Sequence, residues 1–163
     1  MLDHLGQPSP SVETRTPSST ATLGLPAQAD SVCRARDFTR STLQGWRLSE
    51  QFDAVALVVS ELVTNALRHG VGVALQATQR GRAGQPTGGS AVELELMRYA
   101  RRLICAVRDG SEAVPRMSAD GVADLAAESG RGLHLVDCFS DGWGWRPLTG
   151  DRRGKVVWAV FKL

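Results

Sequence analysis

The chain has 163 residues, a net charge of +2 and 42% hydrophobic residues, enough for one domain with its own core and no disulfide support. So small a charge leaves no footprint for direct nucleic-acid binding, and no stretch approaches the about 20 apolar residues of a membrane span. The three cysteines, Cys33, Cys105 and Cys138, are odd in number and widely spaced, which argues against a disulfide framework or a zinc site and reads as small hydrophobes in a reducing compartment.

Residues 1–18 are rich in Ser, Thr and Pro and lack apolar periodicity, so a disordered tail is expected there and a folded domain over 19–163. No signal-peptide pattern opens the chain, and the expected location is the cytoplasm. A short strand is expected over Ala21–Leu25, ending at Pro26. Asp30 or Ser31 then caps a helix that runs to about Leu43 and ends at Gly45 and Trp46. Its apolar residues are Val32, Ala35, Phe38 and Leu43, while Arg34, Arg36 and Arg40 lie off that stripe. Ser49 opens a second helix. Gly70 is placed as its left-handed cap, with a strand over Val71–Ala77 beyond it.

A polar, Gly-rich hairpin loop spans Gln79–Ser90. Val92–Leu96 alternates cleanly and predicts a strand with one wet face. Leu103–Val107 is continuously apolar and predicts a buried central strand ending at Asp109. A turn, a short helix near Val122–Ala127 and a loop follow. Another helix starts after Gly130-Arg131-Gly132-Leu133, and the strands Gly142–Arg146 and Val156–Phe161 close the chain. Strands and helices segregate, which predicts an α+β two-layer sandwich with helices on one face of a mostly antiparallel, mixed sheet.

Three constellations carry chemistry. Glu61 and Asn65 stand four residues apart, one above the other on a helix face. At about 100° per residue they fall opposite the apolar stripe Val55, Val59, Leu62, Val63 and Ala66, with Leu57 and Val58 to either side. A carboxylate can act as a general base, and an amide oxygen suits Mg²⁺. On their own they read equally as a solvated pair. Asp109-Gly110 at the mouth of a buried strand can accept a hydrogen bond, such as one from an exocyclic amine, or simply form an Asp-Gly turn. Gly130-Arg131-Gly132-Leu133 before a helix lets the backbone approach an anion at a positive dipole end, and Arg131 can add charge-assisted bonds.

Taken in order, ELVTNALRHG, VRDGSEAVP and GRGLHLV resemble the N-box and the two glycine boxes of the ATPase superfamily of gyrases, chaperones, histidine kinases and mismatch-repair proteins. The short lid and the closing GWGWRPLTGDRRGKVVWAVF more closely resemble the anti-sigma-factor serine kinases and their small actinobacterial relatives. The likeness covers roughly residues 20–163. It implies the Bergerat-type ATP-binding fold and roles residue by residue. Asn65 would coordinate Mg²⁺, and Glu61 would be the catalytic base. Asp109, with Gly110, would read the adenine amine. Gly130, Arg131, Gly132 and Leu133 would wrap the phosphates beneath a lid over 111–129.

The chain departs from that pattern twice. The first glycine box is usually D-x-G-x-G, and here it is Asp109-Gly110-Ser111. The last box often has a threonine supporting the aspartate; Gly154-Lys155-Val156-Val157 has none, so support is expected from water or not at all. His69 is typical of the family and reads equally as a cation at a helix C-terminus.

The resemblance implies an ATP-binding regulator that binds a sigma factor and phosphorylates a serine on an anti-anti-sigma antagonist. The alternative is a non-catalytic ATP-binding partner-switch module. Relatives of this type often dimerise. Arg34, Arg36 and Arg40 are a candidate docking face or an ordinary solvated one. None of His4, His69 or His134 sits on a dimerisation helix ahead of the domain, which disfavours a histidine kinase fragment.

Overall fold

The computed structural model describes residues 16–79, 90–112, 115, 128–150 and 152–163, and the side chains of 69–79 and 128–132 lie outside that description. Among the described residues, five strands form one sheet: β1 (Ser19–Leu25), β2 (Val92–Arg98), β3 (Arg102–Asp109), β4 (Gly142–Pro147) and β5 (Lys155–Lys162). Their spatial order is β1-β2-β3-β5-β4, and every neighbouring pair is antiparallel. Three helices, α1 (Ser31–Gly45), α2 (Phe52–Gln79) and α3 (Glu128–Phe139), complete the expected α+β fold.

Strand pleating explains the layering. Side chains alternate across a strand, and Val92, Leu94 and Leu96 of β2, Leu103, Cys105 and Val107 of β3, and Val157, Ala159 and Phe161 of β5 all turn inward. They share one core with Ala35 and Leu43 of α1, with Val55, Val59 and Val63 of α2, and with Val136 of α3. Each such aliphatic side chain contributes about 1.5–3 kcal/mol by leaving water. On the outer face Arg108 meets Glu93 and Glu95, at 3.9 Å each, which is the wet face expected of Val92–Leu96.

The expected strand over Val71–Ala77 is instead the last part of α2, which continues through Gly70 to Gln79. The alternation of Val71-Gly72-Val73 is too short to set a period of two, and Ala74, Leu75, Gln76 and Ala77 are all strong or fair helix formers. Placed mid-helix, His69 is no longer near a C-terminal dipole end. The α2 burial stripe is also wider than expected: Ala56 and Val58 are buried beside Val55 and Val59, because α1 and α3 flank this helix while the sheet lies beneath it.

The start of α1 is not capped as expected. Asp30 stands at the N-cap without a side-chain cap bond, and the Ser31 hydroxyl donates instead to the Pro26 carbonyl at 2.6 Å. Its far end is a Schellman motif. Leu48 N–H donates to Leu43 O at 2.7 Å and Arg47 N–H to Gln44 O at 3.1 Å, with Arg47 in the left-handed region at φ 59. Gly45 does not hold that position.

A short 3-10 turn, Ser49–Gln51, leads into α2. Arg40 stacks over the Phe52 ring at 4.7 Å and sits 3.8 Å from Asp37, so it fastens α1 to the start of α2. Ser18, the last residue of the expected tail, donates its N–H (2.8 Å) and hydroxyl (3.0 Å) to Arg98 O. Residues 1–15, the hairpin loop over 80–89 and the short helix near 122–127 lie outside the described residues. Cys105 is fully buried, its thiol pushed up to about 12 by burial, whereas Cys33 and Cys138 are exposed rather than packed as small hydrophobes. No helix among the described residues is long and apolar enough to cross a membrane.

Candidate functional site

Glu61 and Asn65 occupy the middle of α2, and both are half-buried. Neither is fully exposed to solvent. Burial raises the Glu61 pKa above the ordinary carboxylate range, and the Arg68 guanidinium lowers it by a smaller amount. Arg68 lies seven residues, about two turns, beyond Glu61 on the same helix face. That spacing is the sequence signal that marks it as a neighbour of Glu61.

Asp109 ends β3 with its side chain on the inner face, in series with Leu103, Cys105 and Val107. It is 5% exposed, and two donors converge on one of its oxygens. Ser111 N–H donates to Oδ1 at 2.7 Å, and Lys155 Nζ donates to the same Oδ1 at 3.1 Å. The first bond is an Asx turn, so the Asp-Gly turn and the buried acceptor coexist in one residue. The second comes from the cross-strand partner of Asp109 in β5.

Support for the aspartate therefore does come from the last box. Lys155 supplies it from the segment without a threonine, in place of the water or the absence expected from sequence. An isolated buried ammonium or carboxylate would be costly, and each neutralises the other here.

Gly154 lets these strands meet. Its φ is +128, and a Cβ there would stand 2.0 Å from Asp109 O and 3.0 Å from Gly110 Cα. The same residue closes the β4–β5 connection by accepting Leu148 N–H at 2.9 Å. Gly110, by contrast, has open space around an added Cβ, so the packing of the free protein makes no demand for glycine there. Sequence reasoning missed Lys155, Gly154 and the Ser111 amide. The roles of Lys155 and Gly154 depend on the pairing of β3 with β5, which sequence alone does not register, whereas the Ser111 amide belongs to the local Asp-Gly turn.

The glycine segment sits differently from expectation. Helix α3 begins at Glu128, so Gly130 to Leu133 lie within its first turns and not ahead of it. The first four N–H groups of a helix lack intrahelical partners. Counted from Glu128, that of Gly130 belongs to this set, while those of Arg131, Gly132 and Leu133 do not. The Leu133 side chain is buried, which gives it a core role. Of the expected lid over 111–129, residues 113, 114 and 116–127 lie outside the described residues.

The topology places these parts on elements that pack against one another. Helix α2, carrying Glu61 and Asn65, packs on β3, which ends in Asp109, and α3 packs against α2. Half-buried acid and amide, fixed buried acceptor and helix N-terminus thus belong to adjoining elements.

The chain was compared with known families, and residues 25–161 match the model of the histidine kinase-like ATPase domain. The chain belongs to that family. The match runs from the end of β1 to β5 and so takes in all of these elements. No curated protein matches the chain.

This ATPase domain has residues that fit its ligand. Asp109 is a buried acceptor held in place before anything binds, as recognition of an amine requires. Asn65 offers one neutral oxygen, in keeping with a Mg²⁺ ion that keeps several waters and binds mainly through phosphate oxygens. Among the described residues no group of three His, Cys, Asp or Glu side chains could hold a metal ion by itself. The expected single-residue ligation differs in kind from such a cage.

Proposed function

We propose that this histidine kinase-like ATPase domain is an anti-sigma-factor-like protein-serine kinase, which binds a sigma factor and phosphorylates a serine on an anti-anti-sigma antagonist. ATP with Mg²⁺ supplies the phosphoryl group. Glu61 takes the proton from the attacking serine hydroxyl. Asn65 holds the metal, and Asp109 accepts a hydrogen bond from the adenine amine. Gly130, Arg131, Gly132 and Leu133 form the phosphate end of the site, Gly130 through its backbone N–H and the others as the first turns of α3 behind it. Phosphorylation of the antagonist adds about −1.5 to −2 charges to a docking surface and releases the bound partner.

The observation that carries this reading is the environment of Glu61. A carboxylate half-buried on α2, with its pKa raised by desolvation, has the higher basicity that a proton acceptor near neutral pH uses. A merely solvated residue would lack it. Arg34 and Arg36 are exposed on α1 and offer a basic face to a partner, whereas Arg40 is engaged with Phe52 and Asp37.

The deciding experiment incubates the protein with labelled Mg-ATP and candidate antagonists, beside Glu61→Ala. Label moving to a serine of the antagonist, and lost in the variant, supports the kinase. Nucleotide bound with no transfer to any antagonist favours the non-catalytic partner-switch module. No binding at saturating Mg-ATP removes both, and transfer that survives Glu61→Ala removes the base.

A further inference from the structure

The paired side chains of Asp109 and Lys155 are 2% and 5% exposed, and the bonds they make are unevenly shared between the two carboxylate oxygens. Both donors, Ser111 N–H and Lys155 Nζ, use Oδ1. We propose that Lys155 is a positioning residue that sets the base selectivity of the nucleotide site, by committing Oδ1 and leaving Oδ2 to a single amine. The proposal rests on the nucleotide reading above and deepens it.

The chemistry follows from the edges of the two purines. Adenine presents one exocyclic amine next to a ring acceptor. One carboxylate oxygen is enough to accept from that amine. Guanine presents two adjacent donors, its ring N–H and its exocyclic amine, and a carboxylate answers them best with both oxygens at once. With Oδ1 already holding two donors, that two-point reading is closed. Two charge-assisted bonds to one oxygen also resist rotation of the carboxylate.

The clamp is rigid because its backbone is. Lys155 opens β5 directly opposite Asp109, and the preceding Gly154 is pressed against the Asp109 carbonyl. A side chain at 155 that cannot donate would release Oδ1 from the ammonium, let the carboxylate turn, and make guanine an acceptable ligand.

The test titrates the full chain with Mg-ADP and with Mg-GDP by calorimetry, for the native protein, Lys155→Met and Lys155→Gln, with thermal melting of each. The native protein should prefer ADP. Lys155→Met should shrink the ADP-to-GDP affinity ratio by about tenfold or more, the scale of one hydrogen bond to a charged group. Lys155→Gln keeps an N–H donor and should retain most of the ratio. A merely structural role would weaken both nucleotides together and leave the ratio unmoved, which overturns the proposal. If Lys155→Met does not fold, Lys155→Leu, which also cannot donate, takes its place: a shrunken ratio supports the clamp and an unmoved ratio overturns it. A native protein that binds ADP without preference sinks this inference alone. One that binds neither nucleotide sinks the nucleotide reading with it.

Discussion

Gly154 stands against Asp109 so closely that a Cβ on the glycine would lie 2.0 Å from the aspartate's carbonyl oxygen. The backbone conformation, at φ +128, is one that side chains rarely adopt. Gly154→Ala should therefore cost at least about 1–3 kcal/mol from conformational strain alone. It should also push β5 away from β3 where Lys155 reaches Asp109. Denaturant melts should show the loss of stability, and ADP titration a weakened site. A variant as stable as the native protein would show that the two strands do not approach in this way.

The environment of Glu61 gives a pH signature. Its folded pKa is raised, so the fold prefers the protonated acid. The stabilising contribution is complete below the unfolded value of about 4.3 and is lost as pH rises through the raised value. Glu61→Gln, which cannot ionise, should thus melt higher than the native protein at neutral pH, with the gap closing below about pH 4. Phosphoryl transfer by the same variant should fall by about 10²–10⁴-fold. A melting gap that is absent or reversed at neutral pH would contradict the burial of the carboxylate.

Arg47 occupies the left-handed position of a Schellman motif at φ 59, where glycine is the usual occupant. Relief of that strain is worth about 1–2 kcal/mol, less the about 0.5–1 kcal/mol that glycine loses in chain entropy. Arg47→Gly should raise stability by up to about 1.5 kcal/mol, measured by urea denaturation. A marked destabilisation would mean that the Arg47 side chain has a structural role.

Leu94 is fully buried in the middle of β2, paired with Leu23 on one side and Val107 on the other. Leu94→Ala should cost about 2–5 kcal/mol through lost transfer energy and a residual cavity. Equilibrium unfolding should show this as a lower midpoint with an unchanged slope.

The contrast between these sites explains what the sequence could reveal. Val92–Leu96 and Leu103–Val107 were legible because alternation and continuous apolarity are local signals of one-sided and buried strands. Glu61, Asn65 and Asp109 were legible as candidates because their ordered motifs resemble a known family. The last part of α2 is not legible, because a glycine such as Gly70 is a usual helix stop, and here the helix runs on through it to Gln79. Lys155 could not be assigned, since its function depends on the strand opposite it, and Cys33 and Cys138 were misplaced because apolar sequence neighbours do not ensure burial on a helix.

The pairing of β1 with β2 has a bearing on how the chain comes to be folded. Ser19 meets Arg98 across the sheet, closing a loop of roughly eighty residues whose entropy must be lost before the contact is rewarded. A chain emerging from the ribosome exposes β1 long before its partner exists, while the β2–β3 hairpin can zip at once across its short connection. Refolding should then proceed from the β2–β3 hairpin, in the interior of the sheet, outward, with β1 the late arrival. Until then Leu23 and Leu25 remain open to solvent, so an interrupted or slowed synthesis leaves an adhesive segment at the front of the chain.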